Sequence, residues 1–106
     1  MDFDMSSRHP DILVVEHNRL LRDMICDWLG GAGYTVHAAA DAHEALAWLE
    51  RRRFDLIILE MELPRNEGSS LMSSIEDKLP GTPIVFLTGA MGCSDVLASI
   101  LKALRG

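Results

Sequence analysis

Two patterns of apolar residues alternate along the chain. Short runs rich in Ile, Val and Leu occur at Ile12–Val15, Tyr34–His37, Leu56–Leu59 and Ile84–Leu87. They lack the strict polar alternation of a half-exposed strand, so they predict strands of a parallel sheet covered on both faces. The segments between them have helical spacing. The first carries Leu20, Leu21, Met24, Ile25, Trp28 and Leu29 as one stripe, and Gly30, Gly31 and Gly33 are expected to end it. The second opens on Asp41-Ala42-His43-Glu44, a capping-box spacing, and is expected to bury Ala45, Leu46 and Leu49. The third presents Leu71, Met72, Ile75 and Leu79, with serines at 69, 70, 73 and 74 on its solvated face and Pro80 as a stop. The fourth starts near Ser94 and carries Val96, Leu97, Ile100, Leu101 and Leu104.

The order is β-α-β-α-β-α-β-α, which predicts right-handed crossovers and an α/β doubly wound parallel sheet. In such sheets, ligands and chemistry collect at the carboxyl ends of the strands. The first and third strand segments are near copies, DILVVE (Asp11–Glu16) and DLIILE (Asp55–Glu60), and each ends in a glutamate. His17 follows the first, and Thr88 follows the fourth strand. Glu16, His17, Glu60 and Thr88 are therefore expected to converge on one shallow pocket.

Composition narrows the function. At 106 residues the chain suits a single domain, with residues 1–10 as a flexible lead-in and 11–106 as the folded unit. A net charge of −6 argues against a nucleic-acid surface, which needs clustered Lys and Arg. The basic run Arg51-Arg52-Arg53 suits a helix C-terminus. Cys26 and Cys93 show no metal or CxxC spacing and read as free thiols of a reducing cytoplasm. The N-terminus lacks the basic start and apolar core of a signal peptide, and no apolar run reaches the roughly 20 residues of a membrane span. GGAGY follows a helix and precedes a strand, the reverse of a dinucleotide-binding loop. His9, His37 and His43 show no partners in the sequence and are expected at the surface; Trp28 and Trp48 are expected to pack on helix faces.

From Asp11 to about Leu104 the chain resembles the receiver domain of bacterial response regulators. The resemblance rests on ILVVEHNRLLRDMICDWLGGAGYTV, ADAHEALAWLERRRFDLIILEMELPRNEG and PIVFLTG, including Val14, Val15 and Asn18 and the turn with Leu63, Pro64 and Gly68. It implies a flavodoxin-like sheet, here of order 2-1-3-4 and truncated after the fourth helix. It also implies a site of two acids holding Mg²⁺, a phospho-accepting aspartate, a Ser or Thr, and a lysine on a fifth strand. This sequence departs from that set. Glu16 stands for the first acid, His17 for the second and Glu60 for the acceptor, while Thr88 matches. Lys102 falls too soon after Thr88 to end another strand, and the fifth strand and helix have no counterpart.

The resemblance with these departures implies a degenerate receiver, or pseudo-receiver: a two-component signalling module acting by protein–protein contact, not an enzyme, without phosphorylation and with Mg²⁺ binding weak or lost. No other metal or cofactor is expected, a His17–carboxylate contact being preferred to a Zn²⁺ site. The competing readings are a phosphorylatable receiver using Glu60 or His17, and a receiver fragment of a longer regulator. Glu60 as a mimic of a phosphorylated aspartate stays open beside a vestigial pocket. Expected partners are a histidine kinase or an output protein, with no nucleic acid and no membrane. A missing fifth strand would leave Ile84–Leu87 as an apolar edge and the first-helix side of the sheet bare. With the apolar last helix, that predicts a two-fold homodimer.

Overall fold

The computed structural model describes residues 10–88 and 93–105. The elements run β1 (Asp11–Val15), α1 (Arg19–Gly31), β2 (Thr35–Ala39), α2 (Ala42–Arg51), β3 (Leu56–Glu60), a 3-10 turn (Pro64–Asn66), α3 (Glu67–Lys78), β4 (Ile84–Leu87) and α4 (Cys93–Arg105). All strand pairs are parallel, in the order β2-β1-β3-β4. This is the doubly wound α/β sheet that the sequence pattern predicts. His9 and most of the lead-in lie outside the described residues.

The sheet separates two apolar layers. Leu13, Val15, Ile57 and Leu59 face α2 and α3, meeting Ala45, Leu49, Leu71 and Ile75. Their neighbours Ile12, Val14, Leu56 and Ile58 face the other way, towards Ile25 and Leu29 of α1 and Val96 and Ile100 of α4. Successive strand residues point to opposite faces, so both sets must be apolar, and this explains the unbroken runs.

The position of α4 corrects one expectation. The α1 side of the sheet is not bare: Val96 and Ile100 bury there with Val85 and Leu87. A helix with an apolar stripe lowers its free energy by roughly 25 cal/mol for each Å² it covers, and it takes the open face beside α1. The remaining thin cover lies elsewhere. Ile84 and Phe86 point to the α2–α3 layer and stay only partly buried.

Local boundaries differ in ways that physics explains. β2 runs to Ala39, two residues beyond expectation, because β1 offers five partners, from Asp11↔Thr35 to Val15↔Ala39. The stripe on α1 is narrower than expected: Ile25 and Leu29 are buried, but Leu20 is 81% exposed and Met24 is 46% exposed. Asn18 caps α1 by accepting the Leu21 N–H at 3.0 Å. Gly30 and Gly31 belong to the last turn, and Gly33 alone takes the left-handed conformation, at φ 99°. Asp41 caps α2 through the Glu44 N–H, while the Glu44 carboxylate accepts the Ala40 N–H at 2.7 Å. The reciprocal bond of a capping box thus falls one residue early. The Pro64–Asn66 turn, with Arg65 and Asn66 at positive φ, has no counterpart in the periodicity.

His37 is also corrected. It is half-buried, with its ring 4.6 Å from Trp48 and 5.7 Å from Phe54. Desolvation, then the nearby Arg52 guanidinium, holds its pKa below the ordinary histidine value. His43 is exposed, as expected. Cys26 is a half-buried free thiol whose pKa burial raises, while the side chain of Cys93 lies outside the described residues.

Candidate functional site

The parallel register assembles the site. Val15 pairs with Leu59, so Glu16 leaves β1 beside Glu60. Glu60 pairs in turn with Leu87, which brings Thr88 to the same edge. The Glu16 N–H still donates to Ala39 O at 3.0 Å, and the Met61 N–H to Leu87 O at 2.9 Å. These ladder bonds fix the backbone from which the side chains project. Glu16, His17, Glu60 and Thr88 line one recess of about 230 Å³ together with Asn18, Leu21, Glu62 and Leu87.

The recess is not the shallow open rim that the sequence suggests. Glu16 is 1% exposed and Glu60 is 7% exposed, so its floor holds two buried carboxylates. His17 sits over them with its side chain about half-exposed, at 48%. Its Nδ1 hydrogen-bonds both Glu60 oxygens, at 2.8 Å to Oε2 and closer still to Oε1. The same nitrogen is 3.5 Å from Glu16 Oε2. Thr88 lies exposed at the mouth. Lys102 lies on α4, beside the β4 edge rather than in this recess.

Electrostatics follow from the burial. Desolvation is the main cause that raises the Glu16 carboxyl from 4.5 to about 7, and the neighbouring Glu60 carboxylate adds to it. The Asn18 N–H at 3.0 Å and the charge of His17 pull the other way. His17 is shifted upwards as well. Its hydrogen bond to Glu60 is the largest cause, aided by the charges of Glu60, Glu16 and Glu62 and opposed by desolvation.

Two further residues, not among the expected site residues, support the site. Arg22 reaches back from α1, and its Nη1 donates to the carbonyl oxygens of Glu16 at 3.0 Å and His17 at 3.5 Å. Asn18 serves twice, as helix cap through its side chain and as donor to Glu16 through its backbone. A capping residue before an apolar stripe is a legible signal for Asn18; nothing in the spacing of Arg22 announces its bond. The arrangement offers one imidazole nitrogen and two carboxylates as donors, which is not the all-oxygen set that Mg²⁺ prefers.

The comparisons with known proteins agree with this architecture. The family model described as the response regulator receiver domain matches residues 12–104. The Regulator of RpoS of Escherichia coli is 32% identical over 94 residues, covering 89% of this chain and 27% of the relative. The sensor histidine kinase AruS of Pseudomonas aeruginosa is 39% identical over 85 residues, covering 76% of this chain and 8% of the relative. This chain thus spans about a quarter or less of either relative's length. The fold also matches the chemotaxis response regulator CheY4 of Vibrio cholerae at a TM-score of 0.80 and 24% identity, covering 91% of this chain and 99% of that one. With a parallel sheet of the right order and a family match over nearly its whole length, the chain belongs to the response regulator receiver domain family of two-component signalling.

Proposed function

We propose that this receiver domain signals through protein–protein contact without acquiring a phosphoryl group. The observation that carries the reading is the state of Glu60. At the acceptor position, its carboxylate is buried and both its oxygens are engaged by His17 Nδ1. An acceptor must present a free oxygen in line with the phosphorus. The extra methylene of glutamate moves that oxygen by more than an ångström, and a misplacement of about 1 Å costs on the order of a hundredfold in rate. Among the described residues lining the recess there is no lysine to balance a phosphoryl group. His17 also replaces an oxygen ligand with nitrogen, which weakens Mg²⁺ binding.

Glu60 is a poor mimic of a phosphorylated aspartate for a related reason. A phosphoryl group brings a charge of about −1.5 to −2 to the receiver. A carboxylate brings at most a single charge, and the oxygens of Glu60 are already engaged by His17 Nδ1. The test is intact-mass measurement after incubation with acetyl phosphate and Mg²⁺. No gain of one phosphoryl mass is expected; a Mg²⁺-dependent adduct on Glu60 or His17 would overturn the reading.

The partner surface on this reading is β4. Among the described residues it pairs only with β3, so its outer edge presents free backbone groups. A groove of about 610 Å³ runs along that edge, lined by Ile84, Phe86, Ser99 and Lys102 among others. A second copy can extend the sheet there by two-fold, antiparallel pairing of β4 with itself, and a histidine kinase or output protein is the alternative occupant. Light scattering at tens of micromolar, above the ~1 μM dissociation constant of a modest interface, decides between them: a dimer is expected, and a stable monomer sinks the homodimer. Among the described residues no helix is long and apolar enough to cross a membrane.

A further inference from the structure

A second recess shares Leu21, Leu87 and Thr88 with the Glu16–His17–Glu60 site but differs from it in chemistry. It is a cavity of about 260 Å³ between α1, α4 and the end of β4. Ile25, Leu87 and Val96 form its floor, each less than a tenth exposed. Met24 and Trp28 of α1 and Leu97 of α4 form its walls, and Met24 is still 46% exposed. Among the described residues lining it none is charged, and the Thr88 hydroxyl and the Trp28 N–H are the side-chain hydrogen-bonding groups. A water molecule takes about 30 Å³. The cavity is several times larger, and water inside it has almost nothing to bond. Apolar cavities of about 150 Å³ bind benzene, so this one has room for a guest of two fused rings.

We infer that this cavity binds a small, uncharged aromatic molecule of about the size of indole. Its dimensions suit one such molecule, whereas a stable protein interface buries about 1,200 Å² or more in total. The helix surface around it is charged rather than apolar. Asp23 and Asp27, both exposed, flank Met24 and Trp28 along α1, and Asp23 pairs with Arg19. Two acids beside the walls disfavour a guest that carries a carboxylate. An aromatic guest suits the walls themselves: a thioether meets ring edges favourably, and an indole packs against a second ring offset or edge-on. The Thr88 hydroxyl can accept one N–H or O–H of the guest. Through α4 the cavity also reaches the β4 edge. Val96 and Leu97 face the cavity, while Ser99, Lys102 and Ala103 of the same helix line the groove beside β4. A guest held between α1 and α4 therefore fixes the helix that walls the proposed partner surface. The inference is independent of phosphate-free signalling, because a mass adduct tests that reading and a ligand titration tests this one.

The experiment uses the full chain with isotope-labelled Ile, Leu, Val and Met methyl groups, titrated with indole and with indole-3-acetate by NMR. Ring currents from bound indole should shift Met24, Ile25, Leu87 and Val96 saturably, with a dissociation constant below about 1 mM. Met61, an accessible methyl outside the cavity at 56% exposure, should stay still. Indole-3-acetate should bind about tenfold more weakly or worse, because its charge must be buried beside acids. At ten times its dissociation constant, indole should slow amide hydrogen exchange in α4 by about tenfold, since opening of α4 destroys the cavity. Leu97→Trp and Met24→Trp fill the space from opposite walls, and each should abolish the shifts. Unchanged Ile57 and Ile75 signals, in the opposite layer, show that the fold is kept. If a filled variant does not fold, magnetisation transfer from indole protons to the Ile25 and Val96 methyls of the wild type still places the guest. Absence of saturable shifts, shifts centred on Met61, or full binding by both filled variants would overturn the inference. So would a dimer that Leu97→Trp dissociates, which gives the cavity to a side chain of a second copy. Binding that leaves α4 exchange unchanged would overturn the link to the β4 edge.

Discussion

Replacing Glu16 by Gln should stabilise the fold, and more so as the pH rises. The carboxyl of Glu16 is almost wholly buried beside Glu60, and its pKa rises from 4.5 to about 7 in the fold. A group whose pKa is raised on folding contributes stability below its unfolded pKa and loses that contribution as the pH climbs through the folded value. The window here is pH 4.5 to 7, where the folded chain holds a proton that the unfolded chain releases. At about 1.4 kcal/mol for each pKa unit, the difference is on the order of 3 kcal/mol. Gln keeps the side-chain oxygen that accepts the Asn18 N–H but does not titrate. Its advantage over wild type should therefore grow by about 2–3 kcal/mol between pH 5 and pH 8. For a domain of this size that is roughly 10 °C or more in Tm. Urea unfolding of both proteins, in chelator-treated buffer at several pH values, measures the difference directly, and groups remote from Glu16 titrate alike in both and cancel. A stability difference that stays flat across this range would refute the reasoning, because it would mean that water reaches Glu16 and that burial does not govern its charge.

His17, followed by NMR, should titrate above a solvated histidine because its largest perturbation is the bond to Glu60; a downward shift would mean that desolvation wins. Ile100→Ala should cost about 2–5 kcal/mol, because Ile100 is 0% exposed in the layer shared with α1. Leu101→Ala, at a side chain 41% exposed, should cost far less, and equal losses on chemical denaturation would contradict the placement of α4. Glu60→Asp alone should not restore phosphorylation by acetyl phosphate, since His17 still occupies the second acid position. Efficient labelling of that single variant by mass would show that acceptor length was the sole obstacle.

Much of the architecture was legible from the residues. Strands buried on both faces must be apolar throughout, so DILVV and LIILE announced a parallel sheet, and helical stripes between them announced its crossovers. The ends of those strands named Glu16, His17, Glu60 and Thr88, because a parallel sheet gathers its carboxyl ends on one edge. Periodicity says which side of a helix is apolar, but not which layer it will meet. The face chosen by α4 was therefore decided only in three dimensions, where the layer beside α1 was open and Val96 and Ile100 could fill it. The same limit applies to Leu20 and Met24, apolar residues on a stripe wider than the contact surface. His37 read as a surface residue because its aromatic neighbours Trp48 and Phe54 are distant in sequence. At the site, sequence named the donors but not their environment. Burial of Glu16 and Glu60, the bond from His17 Nδ1, and the reach of Arg22 back to two carbonyls depend on long-range register between β1 and β3. Hydrogen-bond geometry and desolvation are properties of assembled neighbours, and no local stretch of chain contains them.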